Sequence, residues 1–190
     1  MPKIDAPTVA EHHAMRRAAV IAAARHALGT VGAAGVTPGA VSGAAGIART
    51  SVYQYFPSTD ALLTAAVEDM FAEAESRISE ALDGSTDPWQ RVESYIAVAL
   101  RAAAGQYGPF HAMPTAQFPD TTRARLRELH DALSAPLVDA VTEIGAADPK
   151  VATVLILGAI SAGITLARHG ANPEATIKAT NEFVAHGLGR

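Results

Sequence analysis

The sequence contains no cysteine. That removes disulfides, thiolate nucleophiles and cysteine metal sites, and it accords with a reducing cytoplasm. Charged residues are only 18% of the chain while hydrophobic residues reach 49%, which excludes a disordered chain and fits one or two packed domains within 190 residues. Aromatic residues are scarce at 5%, so the places where they cluster carry information. No Gly-rich phosphate loop and no HExxH is present, nor a Ser, His and Asp order that spacing alone singles out. His111, His130, His169 and His186 lie far apart and read as surface or packing residues. No catalytic residue, metal site or cofactor is expected. The opening MPKIDAPTVAEHH lacks the hydrophobic run of a signal peptide, which argues against secretion. The longest uncharged stretch, Val151 to Ala167, is seventeen residues diluted by Thr153, Ser161 and Thr165. It stands at the lower limit for a membrane span and reads as a buried helix.

Against this background one stretch stands out, TPGAVSGAAGIARTSVYQYFPSTDALLTAAV from Thr37 to Val67. Pro38 suits the first turn of a helix, where its missing N–H is not needed, and Gly46 is the residue type that closes one in a left-handed conformation. A helix over about Pro38 to Ala45 follows. A second starts near Arg49 and stops before Pro57, because the residue preceding proline is pushed out of the helical region. Val41, Ala45, Ile47, Val52 and Phe56 fall where two crossed helices face a shared core. Arg49, Thr50, Ser51, Tyr53, Gln54 and Tyr55 are then left outside, a set of hydrogen-bonding side chains on a helix thin enough for a DNA major groove.

Gly46-Ile47, the run Ser51-Val52-Tyr53-Gln54-Tyr55-Phe56-Pro57-Ser58, and Ala61-Leu62-Leu63 resemble the DNA-binding signature of the TetR family of transcriptional regulators. The resemblance covers about residues 14 to 67. It implies base-edge contacts from Arg49, Thr50, Ser51 and Tyr53, and backbone contacts from Gln54 and Tyr55. Where the family often has a phosphate-binding lysine, this chain has Thr59 followed by Asp60, and Ser42 and Gly43 stand where better helix formers are usual. Phosphate contacts are therefore expected from backbone N–H groups, from hydroxyls such as those of Thr37 and Thr59, and from Arg16 or Arg17. The net charge of −4 divides in the same sense. Residues 1 to 66 hold five basic and three acidic residues, a net +2, and the remainder holds 10 and 16, a net −6. A mildly positive head can approach phosphates while an acidic body avoids them.

The rest of the chain reads as helix throughout. Residues 1–13, with two prolines, are expected as a flexible arm in which His12 and His13 are solvated. An amphipathic helix follows from roughly Ala14 to Val31, ended by Gly32 and Gly35, so that residues 14–57 form a three-helix head. Ser58 caps a long helix to about Leu82. After the break at Asp83 to Pro88 another helix is expected from Trp89 to about Ala104, then one from Thr121 or Thr122 to Gly145 with a bend at Pro136. Between these two, Gly105 to Pro119 is irregular yet aromatic, either a lid over a hollow body or a staple between helices. The last two helices, about 150–169 and 173–187, suggest an interface with a second copy, and the resemblance implies a four-helix seam there.

The expected architecture is therefore all-α: an N-terminal helix-turn-helix head, then residues 58–190 as a helical-bundle body for ligand binding and dimerisation. The resemblance implies a homodimeric regulator, a repressor before an activator, whose heads occupy successive major grooves of a near-palindromic operator and which a small-molecule effector controls. An effector pocket is expected from Trp89, Tyr95, Tyr107, Phe110, His111, Met113, Phe118 and His130, mostly apolar with a few polar groups, for an apolar or amphipathic compound. Arg101, Arg123, Arg125 and Arg127 flank it and could admit an acid at its mouth. The alternative is that these aromatic side chains only fill the core. From another class, the alternative function is an all-helical carrier or enzyme without DNA binding, which would retain no DNA.

Overall fold

The computed structural model describes residues 9–104 and 115–190, and among them the chain forms eight α-helices and no strand. The first, α1, runs Val9–Val31. It begins earlier than expected, so residues 9–13, read from sequence as part of the arm, are its first turns; residues 1–8 lie outside the described residues. A short 3₁₀ turn, Ala33–Gly35, leads from Gly32 at φ 89° to α2, Pro38–Ala45. The Thr37 hydroxyl accepts from the Ala40 N–H at 3.2 Å and Pro38 occupies the first turn.

Gly46 closes α2 in the left-handed region at φ 65°, and the Ile47 N–H returns to the Ser42 carbonyl at 3.1 Å. This satisfies carbonyls that the helix end leaves open. Helix α3 is Arg49–Tyr55, stopped by extended Phe56 ahead of Pro57. Helix α4, Thr59–Leu82, starts on the Ser58 hydroxyl, which accepts from the Ala61 N–H at 3.0 Å. Helix α1 packs on α2 and α2 on α3. Val20, Ala24, Leu28, Val41, Val52 and Phe56 are buried.

The body contains α5 (Pro88–Ala104), α6 (Asp120–Ile144, running through Pro136), α7 (Pro149–Arg168) and α8 (Pro173–Gly187). Helix α5 packs against α7 and α8, which also pack on each other. Their shared core is aliphatic, with Val92, Ile96, Leu100, Leu137, Val141, Ile156, Ile160 and Ile164. A Cβ on Gly163 would come within 2.8 Å of Leu100 Cδ2, so this glycine sets how closely α7 approaches α5. Asp148 and Asn172 cap α7 and α8 with their side-chain oxygens.

The chain divides into two compact units, and the division differs from the expected boundary at Pro57. The first unit extends to Asp69 and takes in Thr115–Arg123; the second holds the remainder. Within the first, the Thr64 and Thr122 hydroxyls meet at 2.9 Å and Arg25 pairs with Asp69. Such contacts join residues distant in sequence, so a boundary drawn at a proline does not foresee them.

Candidate nucleic-acid interface and candidate effector recess

Helix α3 presents the side chains that the sequence left outside the core. Val52 is buried, while Arg49, Thr50, Tyr53 and Gln54 are exposed and Ser51 and Tyr55 half-exposed. One apolar residue at the centre of a seven-residue helix anchors it, and the rest of its surface is free for a ligand. Ser42, the weak helix former of α2, is buried and donates to the Gly39 carbonyl at 3.0 Å, which settles its hydroxyl inside the helix. Thr37 is exposed and Thr59 half-exposed, at the starts of α2 and α4.

The aromatic pair at the end of α3 is gripped from α1. The Tyr55 and His13 rings lie 4.7 Å apart, and the Arg17 guanidinium sits 5.1 Å above the Phe56 ring. Both geometries fall within the range where aromatic and cation–π contacts stabilise. Sequence reasoning assigned His13 to a solvated tail; its ring contact lies 42 residues away in the chain, and spacing carries no sign of it. Arg16 is half-buried and Arg17 exposed.

Because the described cations of the head are Arg16, Arg17, Arg25 and Arg49, with Arg25 joined to Asp69, few can neutralise phosphate. Each neutralised phosphate adds about 0.9 to the slope of log K against log salt. Duplex binding is therefore expected to show a shallow slope, about −3 to −5 for two heads at neutral pH. A titration steeper than about −8 would contradict this count.

In the body, a recess of about 600 Å³ opens among α4, α5, α6 and α7. Of the residues named for an effector pocket, Tyr95 and His130 lie on its wall, together with Ile78, Val98, Ala99, Leu133, Leu157, Ile160 and Ile164. Trp89 is not on its wall and instead lies 5.2 Å beneath the Arg190 guanidinium. Phe118 is buried within the first unit. Tyr107, Phe110, His111 and Met113 lie outside the described residues. The wall is built from ordinary aliphatic residues of four helices, which a search for surplus aromatics passes over.

The polar groups of this wall are already engaged. The Tyr95 hydroxyl donates to the Leu133 carbonyl at 3.2 Å, Ser134 to Asp131, Thr153 to Pro149 and Ser161 to Leu157. His130 Nδ1 meets the Leu126 carbonyl at 2.7 Å, and its ring stands edge-on to Phe71 at 4.8 Å. Burial pushes the Tyr95 phenol up to about 12, so that wall stays neutral at physiological pH. Charge enters through Arg77, Asp131, Asp139 and Lys150. Of the arginines expected at the mouth, Arg101 is bound to Glu174 by two contacts of 2.8 Å, Arg123 pairs with Asp120, and Arg125 with Glu128. These pairs already occupy three of the four guanidinium groups that an acid would seek; the fourth, Arg127, is exposed.

A second feature is the outer face of α7 and α8. Val151, Val154, Leu155 and Phe183 are exposed, the last by 71%, around a groove of about 930 Å³. The expectation of a buried α7 therefore holds for only one side: Ile156, Ile160 and Ile164 enter the core, while the opposite side is bare. Among the described residues α7 is the one helix long and apolar enough to cross a membrane by length and composition.

A three-helix head with an exposed polar helix beyond a glycine corner, followed by an all-helical body, defines a helix-turn-helix DNA-binding protein. The family described as bacterial regulatory proteins, tetR family, matches residues 20–66. Residues 20–66 thus carry the N-terminal helix-turn-helix head of the tetR family of bacterial regulatory proteins. No curated protein matches the sequence. Among solved structures, a TetR-family transcriptional regulator from Bordetella parapertussis is 22% identical, with 88% of this chain and 93% of the other covered at a TM-score of 0.70. The transcriptional regulator FadR from Bacillus subtilis, in complex with stearoyl-CoA, is 17% identical, covering 92% and 98% at 0.79. A TetR-family regulator from Streptomyces coelicolor is 14% identical, covering 96% of both at 0.78. These likenesses extend the shared fold across the body.

Proposed function

We propose that this chain is a homodimeric, ligand-responsive regulator that represses transcription from a near-palindromic operator and is released by an apolar or amphipathic small molecule. It works in the cytoplasm and catalyses no reaction. The observation that carries the reading is the polar surface of α3 held beyond the Gly46 corner. Arg49, Thr50, Ser51 and Tyr53 are the side chains offered to base edges; Gln54, Tyr55, Arg16, Arg17, Thr37 and Thr59 are those offered to the backbone. Residues 58–190 supply the effector and dimer functions, and the bare face of α7 and α8 seats the second copy, because contiguous apolar side chains of this size are covered in stable proteins.

The recess supports the effector class. Its hydroxyl protons are spent on backbone carbonyls, so apart from the cations Arg77 and Lys150 a ligand rich in hydrogen-bonding groups would find few new donors while losing its own water. An aliphatic body with one polar end fits better, and stearoyl-CoA, the ligand of one similar structure, belongs to that chemistry. Thermal unfolding against fatty acids, fatty alcohols and acyl thioesters tests it. A ligand at a hundred times its Kd adds about 2.7 kcal/mol, a rise of roughly 5–10 °C at this size. Ala99→Trp, which fills the recess, should abolish the rise. A rise left intact in that variant would place the effector elsewhere, and release of bound duplex by the same compound should follow its affinity.

A further inference from the structure

His13 and Arg17 stand four residues apart on α1, one above the other on a single helical face, and each takes one ring of the aromatic pair that ends α3. Phe56 is buried and Arg17 lies over it as a fixed cation. Tyr55 is half-exposed and carries an exposed imidazole in place of a second cation. Among the described residues the ring nitrogens of His13 have no hydrogen-bond partner, so both N–H groups of the protonated ring are available. We propose that His13, as imidazolium, is a phosphate-binding residue of the DNA face, and that duplex binding takes up a proton there.

The proposal rests on the reading of α3 as the helix that enters the groove. With Tyr55 turned to the backbone of the duplex, a ring tilted against it at 4.7 Å lies at phosphate range. The head is short of cations where the family has one, since Thr59 and Asp60 open α4. A phosphate within about 4–6 Å favours the protonated form of an imidazole, because the opposite charge stabilises it. The titratable and charged groups at this end of the head are Glu11, His12, Arg16 and Arg17 on α1, Arg49, Tyr53 and Tyr55 on α3, and Asp60 on α4. Among these groups His12 is the other imidazole and so the competing source of a pH response.

The test measures the affinity of the full chain for a duplex recovered by binding-site selection, between about pH 8 and about pH 5.5. Wild type is expected to tighten about threefold to tenfold per head over this fall, each unit of raised imidazolium pKa being worth up to about tenfold and the two heads multiplying. Its salt slope is expected to steepen by about 2 at the lower pH, one phosphate for each of two heads. His13→Phe keeps a ring on Tyr55 without the charge. It should bind as wild type does at high pH and lose both the tightening and the added slope, as should His13→Gln. His12→Gln should retain both. Tightening and added slope that persist in His13→Phe, or that vanish in His12→Gln instead, overturn the assignment of His13 while leaving DNA binding intact; failure of wild type to hold any duplex overturns the reading of α3 together with it.

Discussion

Leu155→Asp or Phe183→Asp is expected to convert the protein to monomers and to lower its affinity for a two-half-site duplex by at least about a hundredfold. Leu155 and Phe183 are 67% and 71% exposed, so neither substitution opens a cavity in the core. In a two-fold dimer each change occurs twice, and a buried leucine or phenylalanine contributes about 1.5–3 kcal/mol. Replacing it by a carboxylate adds the cost of desolvating a charge. The total of several kcal/mol exceeds what a small dimer can lose. DNA binding falls with it, because a single head retains half the contacts and loses the gain from engaging two half-sites at once. Sedimentation of the variants, with circular dichroism to establish that the helices persist, decides the matter. A dimer that survives both substitutions would place the interface on another face.

Arg49→Ala should cost about 1–3 kcal/mol at each half-site, roughly fivefold to more than a hundredfold, and should relax the preference at a single base pair. Arg49 opens α3, is exposed, and holds no ion pair among the described residues. A guanidinium so placed can take both acceptor atoms of a guanine edge. Tyr55→Phe is the contrast. It keeps the ring on His13 and removes a hydroxyl that reads no sequence, so affinity should fall alike for all sites. Selected sites compared between the two variants give the answer, and an unchanged preference with Arg49→Ala would remove it from the base-reading set.

The head was legible in the sequence because its boundaries are set by residues with strong backbone preferences. Gly46 takes φ 65° where Pro38 and Pro57 bracket α2 and α3, and side-chain caps at Thr37 and Ser58 mark the helix starts. The start of α1 was not legible, since an alanine-rich segment flanked by histidines has no distinct apolar period to begin from. The recess was only half legible. Tyr95 and His130 carry recognisable chemistry, but Ala99, Leu157 and Ile160 become a wall only when four helices meet. Which side of α7 faces water is likewise a matter of partners: Ile156, Ile160 and Ile164 enter the core while Val154 and Leu155, just as apolar, stay outside. Arg101, Arg123 and Arg125 looked available because their acids lie elsewhere in the chain or three residues away, before or after, along the same helix.

The central claim, that α3 reads DNA as one of a symmetric pair, is tested most directly by selection from a random pool of duplexes with the purified full chain, sequencing what is retained. The account predicts an inverted repeat whose half-site centres lie about 10–10.5 base pairs apart or a multiple of that, matching two heads on one side of the helix. It also predicts that the Arg49→Ala pool differs from the wild-type pool at one symmetric position. Recovery of no enriched sequence, at a level no higher than an acidic protein without a helix-turn-helix retains, would contradict it.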